Sequence, residues 1–299
     1  MTDVTLHNGA NAVEGSQLGD WLALLKPRVM SLVVFTGFVG LYLAPGSLHP
    51  LRAAIAILCI AVGAGAAGAI NMWYDRDIDA IMERTRNRPL PMGAIAPDDA
   101  LAFGILLSIG AVALMALAVN LLAAALLAGT IGFYVFVYTM WLKRRTPQNI
   151  VIGGAAGALP PVIGWAAVTG GIGALPLALF LLVFMWTPPH FWALALFRNG
   201  DYAAARVPML PVVAGARETK RQMLIYTVAL LPVALAPTLL GAVGWLYGTV
   251  ALLLGGMFVV AAWRVWRSTD QTPAKQMFAF SILYLFMLFT VMVVDKLVV

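Results

Sequence analysis

One cysteine and three histidines among 299 residues leave little material for soft-metal or disulfide chemistry. Cys59 lies inside an apolar run, so neither a disulfide framework nor a Cys-ligated metal site can be assembled. Charge is scarce as well. Asp, Glu, Lys and Arg make up 11% of the chain, less than half of the roughly 25% usual in soluble domains, which excludes a globular domain with a polar surface. The first twenty residues carry Asp3, Glu14 and Asp20 but no Lys or Arg, a pattern that argues against a cleaved signal or transit peptide. They are expected to form a flexible tail (1–20) ahead of a single domain (21–299).

What the chain has instead is apolar length. Hydrophobic residues account for 62% and the mean hydropathy is +0.91. The apolar runs are continuous over about twenty residues and do not alternate, so they are expected to cross a lipid bilayer as helices. Spans fall at about 28–44, 50–70, 100–119, 121–141, 148–168, 174–196, 222–241, 244–264 and 277–296, which predicts an all-α polytopic membrane protein of nine transmembrane helices. Seventeen of the nineteen Lys and Arg fall on one side of these spans, leaving Arg52 and Lys296 on the other. That asymmetry places the N-terminus in the cytoplasm and the C-terminus outside it; the expected location is a bacterial inner membrane, with the C-terminus in the periplasm. The net charge of +6 therefore belongs to the membrane flanks, and no nucleic acid is needed to explain it. The two long loops, about 71–99 and 197–221, both lie on the basic side, where function is expected.

The first long loop opens with Asn71-Met-Trp-Tyr-Asp75-Arg-Asp77-Ile-Asp79 and continues to Arg84-Thr-Arg86-Asn87-Arg88-Pro89-Leu-Pro91. On a continuous helix Asn71, Asp75 and Asp79 lie within about 80° of one another, sharing a face, while Asp77 points the opposite way. Carboxylates one turn apart repel unless a cation separates them. An all-oxygen set of this kind suits Mg²⁺, which shares its remaining positions between water and substrate phosphates. Arg84, Arg86 and Arg88 stand ready to neutralise a diphosphate that the metal neutralises only in part.

The second constellation is Trp186-Thr187-Pro188-Pro189-His190 in the sixth span, followed by Asp201 in the second long loop. Two prolines are expected to interrupt the helix and free backbone carbonyls. His190 has two readings: it hydrogen-bonds those carbonyls, or it contacts a buried ligand as a neutral imidazole. On a continuous helix Asp201 lies about 20° from His190 and about 16 Å further along, at the basic mouth. Lys26, Arg198, Arg206 and Lys220 are candidates for the same electropositive pocket; otherwise they only set topology. Gly63, Gly65, Gly68, Gly153, Gly154 and Gly157 permit close helix approach, and would also leave room for a large flat substrate.

The pattern NxxxDxxxD at Asn71, Asp75 and Asp79 with RxxNRPLP from Arg84 to Pro91 resembles the intramembrane prenyltransferases of the UbiA superfamily. Thr187-Pro-Pro-His-Phe-Trp-Ala-Leu-Ala195 and Asp201-Tyr-Ala-Ala-Ala-Arg-Val-Pro-Met-Leu-Pro211 resemble its haem-farnesylating branch, and the likeness spans nearly the whole chain from Lys26 onward. The resemblance implies one helical bundle around a central cavity open to the cytoplasm. It implies Mg²⁺ on Asn71, Asp75, Asp79 and Asp201, and diphosphate on Lys26, Arg84, Arg88, Arg198, Arg206 and Lys220. It also implies haem B on His190 and Trp186, with transfer of a farnesyl group from farnesyl diphosphate to a haem vinyl group and addition of water to give haem O. Haem A synthase or terminal-oxidase assembly factors are the implied protein partners. The superfamily usually has a second aspartate pair, and here position 205 is Ala205. The lone Asp201 either binds a second Mg²⁺ through water or orients basic side chains. The competing readings are the same fold acting on an aromatic acceptor such as 4-hydroxybenzoate, and a cation-coupled transporter. A transporter's carboxylates would sit at the midplane of the bilayer, not at one edge.

Overall fold

The computed structural model describes residues 16–298. The expected tail thus lies outside the described residues as far as position 15, and from Leu18 the chain is helical. Every regular element among the described residues is a helix. In chain order they are α1 (Leu18–Leu24), α2 (Pro27–Leu43), α3 (Pro50–Tyr74), α4 (Arg76–Ile81), α5 (Pro97–Ala118), α6 (Leu121–Leu142), α7 (Asn149–Ala158), α8 (Pro160–Thr169), α9 (Ala174–Phe197), α10 (Asn199–Ala204), α11 (Leu210–Val213), α12 (Gly215–Leu239), α13 (Trp245–Arg267) and α14 (Thr272–Val298). α7 and α8 together make one span. Eight spans are long and apolar enough to cross a bilayer, and a ninth forms if α1 and α2, bent by 52°, are counted as one. The bend falls at Lys26, which adopts a left-handed φ of 51° ahead of Pro27; proline disfavours α geometry in the residue before it.

Helix starts follow local chemistry. Pro50 and Pro97 occupy first-turn positions where a missing N–H costs nothing, and Asp98 and Asp99 meet the positive end of α5. Asn120 ends the tight turn after α5: its Oδ1 accepts from the Ala123 amide at 2.8 Å, and its Nδ2 donates to the carbonyls of Ala166 and Ala167 at 2.9 and 3.1 Å. One amide therefore caps α6 and ties it to α8. At the same end, the buried Asp295 of α14 accepts a hydrogen bond from the Gly244 amide, the N-cap of α13. Replacing Asp295 by Ala is expected to lower stability by about 1–2 kcal/mol, read as a lower Tm of the detergent-solubilised protein.

Two large apolar clusters fill most of the interior. One joins α3, α5, α6 and α8 through residues such as Ile60, Met115, Leu127 and Ile163. The other joins α9, α12, α13 and α14 through Leu179, Met223, Phe258 and Leu288. Large apolar side chains such as Leu106, Leu117, Phe136 and Leu253 point outward, as a lipid-facing surface requires. α2 crosses α8 with almost no side chain between them. A Cβ on Gly164 would overlap the Gly37 carbonyl, and one on Gly40 would overlap the backbone of Pro161. Two grooves of about 470 and 480 Å³ open between α9 and α12 and between α13 and α14. Neither is lined by the acidic residues, so they are not the central cavity expected from the sequence; at the acids, basic side chains close over the carboxylates.

The helix expected to break at Pro188 and Pro189 does not break: α9 runs unbroken from Ala174 to Phe197 with both prolines inside it. Two backbone donors are lost, but burial of Pro188, Pro189 and their neighbours against other helices holds the path. The interruption comes later, at Arg198 (φ −114°, ψ 20°), between α9 and α10. The continuous helix assumed for aligning His190 with Asp201 is therefore absent.

Candidate active site

α3 delivers Asn71 to the basic end of the bundle, and Asp75 occupies a one-residue break (φ −89°, ψ 5°) before α4. The break is shallow. The Asp75 amide still donates to the Asn71 carbonyl at 2.9 Å, and the Asp79 amide to the Asp75 carbonyl at 2.8 Å. The turn-by-turn stacking expected of Asn71, Asp75 and Asp79 survives, and all three are buried. Asp77 lies outside, with its side chain 59% exposed.

Basic side chains converge on this row. Lys26 Nζ donates to Asn71 Oδ1 at 2.7 Å, which its position in the α1–α2 bend allows. Gly65 and Gly68 of α3 give the bend its seat: their faces meet Leu25 and Lys26. Asn71 Nδ2 donates to Asp75 Oδ2 at 2.7 Å and to Thr139 Oγ1 at 3.1 Å. Lys143 pairs with Asp75 Oδ2, and Arg144 Nη2 lies 3.5 Å from Asp75 Oδ1. Arg144 also forks onto Asp77 with bonds of 2.7 and 2.6 Å while lying over the Tyr74 ring. Those bonds hold the Asp77 carboxyl below the usual carboxylate range. Its contribution to stability is present at neutral pH and is lost as the pH falls through that lowered value. Arg88 Nη1 donates to Asp79 Oδ2 at 2.6 Å.

Thr139, Lys143 and Arg144 were not marked as site residues by the sequence. They arrive because the second half of α6, Phe133–Leu142, is wound as a π-helix, in which the Lys143 amide donates to Tyr138 and Thr139 Oγ1 to the Tyr134 carbonyl. Such windings are rare and cluster at functional sites. The available signal was a Thr within an apolar run four residues before a Lys-Arg-Arg triplet.

The second loop packs onto the first: Tyr202, Ala205, Val207 and Met209 share a core with Ile78 and Met82. Asp201 Oδ2 is enclosed without a hydrogen-bond partner, and Arg198 Nη1 stands 4.0 Å away. Arg84 and Arg206 are exposed, the latter with a left-handed φ of 53°. Lys220 is held elsewhere, donating at 2.7 Å to the Ser268 carbonyl beyond α13. Of the six basic residues expected on the diphosphate, Lys26 and Arg88 meet the acidic row here. His190 takes neither of the freed carbonyls; its Nδ1 bonds Ser281 Oγ of α14 at 2.6 Å, and Trp186 Nε1 donates to the Ser281 carbonyl at 2.8 Å.

The two carboxylates of the row (Asp75, Asp79) and the exposed Asp77 beside it face four basic side chains (Lys26, Arg88, Lys143, Arg144). The surplus of positive charge suits an anion. Asp75 Oδ1 is buried with no hydrogen-bond partner, which leaves a carboxylate oxygen for a metal beside the oxygens of Asn71 and Asp79. No three His, Cys, Asp or Glu among the described residues cluster as a metal cage. Mg²⁺ needs none where a substrate phosphate completes its shell, so the donor set fits.

The family model for UbiA prenyltransferases matches residues 33–289. The chain belongs to the UbiA prenyltransferase family. Among UbiA relatives, the protoheme IX farnesyltransferase of Acidiphilium cryptum is 58% identical, with all of both chains covered. That of Brucella anthropi is 58% identical over 97% of this chain and 94% of its own. A digeranylgeranylglyceryl phosphate synthase superposes with a TM-score of 0.78 at 18% identity, covering 94% of this chain and 99% of that one. A UbiA homologue from Archaeoglobus fulgidus bound to DMAPP and Mg²⁺ gives 0.69 at 17%, covering 91% and 99%. These last two likenesses establish the UbiA fold.

Proposed function

We propose that the protein transfers a farnesyl group from farnesyl diphosphate to a vinyl group of haem B, with addition of water, giving haem O and diphosphate. The observation that carries this reading is the buried Asn71–Asp75–Asp79 row closed over by Lys26, Arg88, Lys143 and Arg144. Full-length identity of 58% to relatives named protoheme IX farnesyltransferase supports the choice of acceptor. The Archaeoglobus homologues bound to DMAPP or GPP with Mg²⁺ support a prenyl diphosphate donor.

Mg²⁺ held by Asp75, Asp79, the side-chain Oδ1 of Asn71 and Asp201 would supply a Lewis acid for the leaving diphosphate. The chain's own residues do the rest. Lys143, Arg88 and Lys26 exchange their bonds to the row for bonds to the diphosphate, matching charge where it grows as the C–O bond ionises. Arg84, Arg198, Arg206 and Lys220 lie at the periphery of the row as reserves for the same anion. The apolar walls beside the row keep water from the allylic cation until the vinyl group has reacted. His190 and Trp186 hold the porphyrin. The protein lies in a bacterial inner membrane, with the site and N-terminus facing the cytoplasm and the C-terminus the periplasm. Its product is passed to haem A synthase or to terminal-oxidase assembly factors. Membranes containing the protein, incubated with farnesyl diphosphate, haem B and Mg²⁺, are expected to yield haem O by mass spectrometry; absence of that product refutes the reading.

A further inference from the structure

The imidazole of His190 is held more tightly than a core histidine requires. Its ring stacks on Trp186 at 4.3 Å with 17° between planes, and on Phe278 at 4.7 Å with 22°. Stacking takes up the faces of the ring, so its polar business is confined to the two nitrogens at the edge. One of them, Nδ1, lies 2.6 Å from Ser281 Oγ. A serine hydroxyl has a single proton and a carbonyl can only accept, so the 2.6 Å contact from Ser281 Oγ to the Phe278 carbonyl assigns that proton to the carbonyl. Ser281 Oγ can then only accept from the ring, so the neutral imidazole carries its proton on Nδ1 and keeps a lone pair on Nε2. Nε2 has no hydrogen-bond partner among the described residues and is not among their fully enclosed orphan atoms. The same Ser281 also accepts, through its carbonyl, the Trp186 indole N–H at 2.8 Å. Two side chains one turn apart on α9 are thus pinned to one residue of α14.

We infer that Ser281 is a positioning residue: it fixes the tautomer and plane of His190 so that Nε2 presents its lone pair to the iron of the haem substrate. The arrangement has the logic of metal-bound histidines, whose second nitrogen donates to a fixed acceptor that orients the ring and raises its basicity. Here the acceptor is a hydroxyl relay ending on a backbone carbonyl. The relay holds the porphyrin without occupying the vinyl group that reacts. The inference rests on haem B being the acceptor.

The test uses the full-length protein in nanodiscs titrated with ferric haem B, reading affinity and the axial-ligand signature in the Soret and electron paramagnetic resonance spectra. Binding of farnesyl diphosphate and Tm serve as fold controls. Wild type is expected to show a nitrogen-ligated haem, and His190→Ala to lose that signature. Ser281→Ala is expected to weaken haem binding about tenfold and perturb the ligand signature, with farnesyl diphosphate binding retained. Ser281→Thr, which keeps the hydroxyl, is expected to restore the signature. A wild-type spectrum and affinity in Ser281→Ala overturns the positioning role while leaving haem as substrate. A wild-type spectrum in His190→Ala overturns the ligand assignment itself, and wild-type protein that binds no haem at all overturns the functional reading beneath it.

Discussion

Asp75→Asn is expected to cut haem O formation by about a thousandfold or more, the scale on which a preorganised charged group at a reacting centre acts. The side chain is isosteric, so the loss reads charge and not shape. Asp75 is completely buried and is the common partner of Asn71, Lys143 and Arg144. Removing its charge also strands Lys143, which breaking a buried pair makes costly, by up to about 3 kcal/mol. The double variant Asp75→Asn with Lys143→Met separates the two effects. Stability, read as Tm, is expected to return; turnover is not. Asp77→Asn provides the contrast. Its carboxylate is mostly solvent-exposed, so the variant is expected to change stability by less than about 1 kcal/mol and leave haem O yield nearly unchanged. Near-normal turnover in Asp75→Asn would remove the row from the mechanism.

Gly164→Leu is expected to be the most damaging change outside the site. Even its first carbon would overlap the Gly37 carbonyl across the α2–α8 crossing. Because that obstacle is backbone and cannot rotate away, the penalty is expected to reach about 3 kcal/mol or more, the upper range for overpacking. The measurement is the yield of monodisperse protein after detergent extraction, with Tm of what remains. Gly157→Ala is the matched control, since a Cβ there meets nothing within 4 Å. Equal yields for both variants would show that the crossing has room the geometry denies.

The spans and the acidic row were legible because each is written locally. Twenty apolar residues in sequence announce a crossing, and Asn71, Asp75 and Asp79 announce a face through their spacing alone. Lys143 and Arg144 were not legible as site residues, because a basic cluster after a span already has a sufficient explanation in topology. Their meeting with Asp75 depends on the winding of α6, which propensity does not foretell. The bond between His190 and Ser281 joins positions 91 residues apart, beyond any local pattern. Pro188 and Pro189 misled for the opposite reason. Their local chemistry predicts a break, and the burial of α9 among its neighbours overrides it.

Because the wide coil that closes α6 meets Asp75 in one register, this enzyme is sensitive, in steps of a single residue, to the length of the α-helical stretch ahead of that coil. A residue deleted between Phe133 and Leu142 could be absorbed by rewinding that segment as an ordinary α-helix, but one deleted from the α-wound first half of α6, before Phe133, would turn everything after it by about 100° about the axis. The membrane crossing would hardly notice, since the stretch stays oily and long enough. Lys143 and Arg144 would swing off the carboxylate they now meet. Homologues that keep hydropathy here but lose one position would be expected to insert normally and yet be catalytically silent.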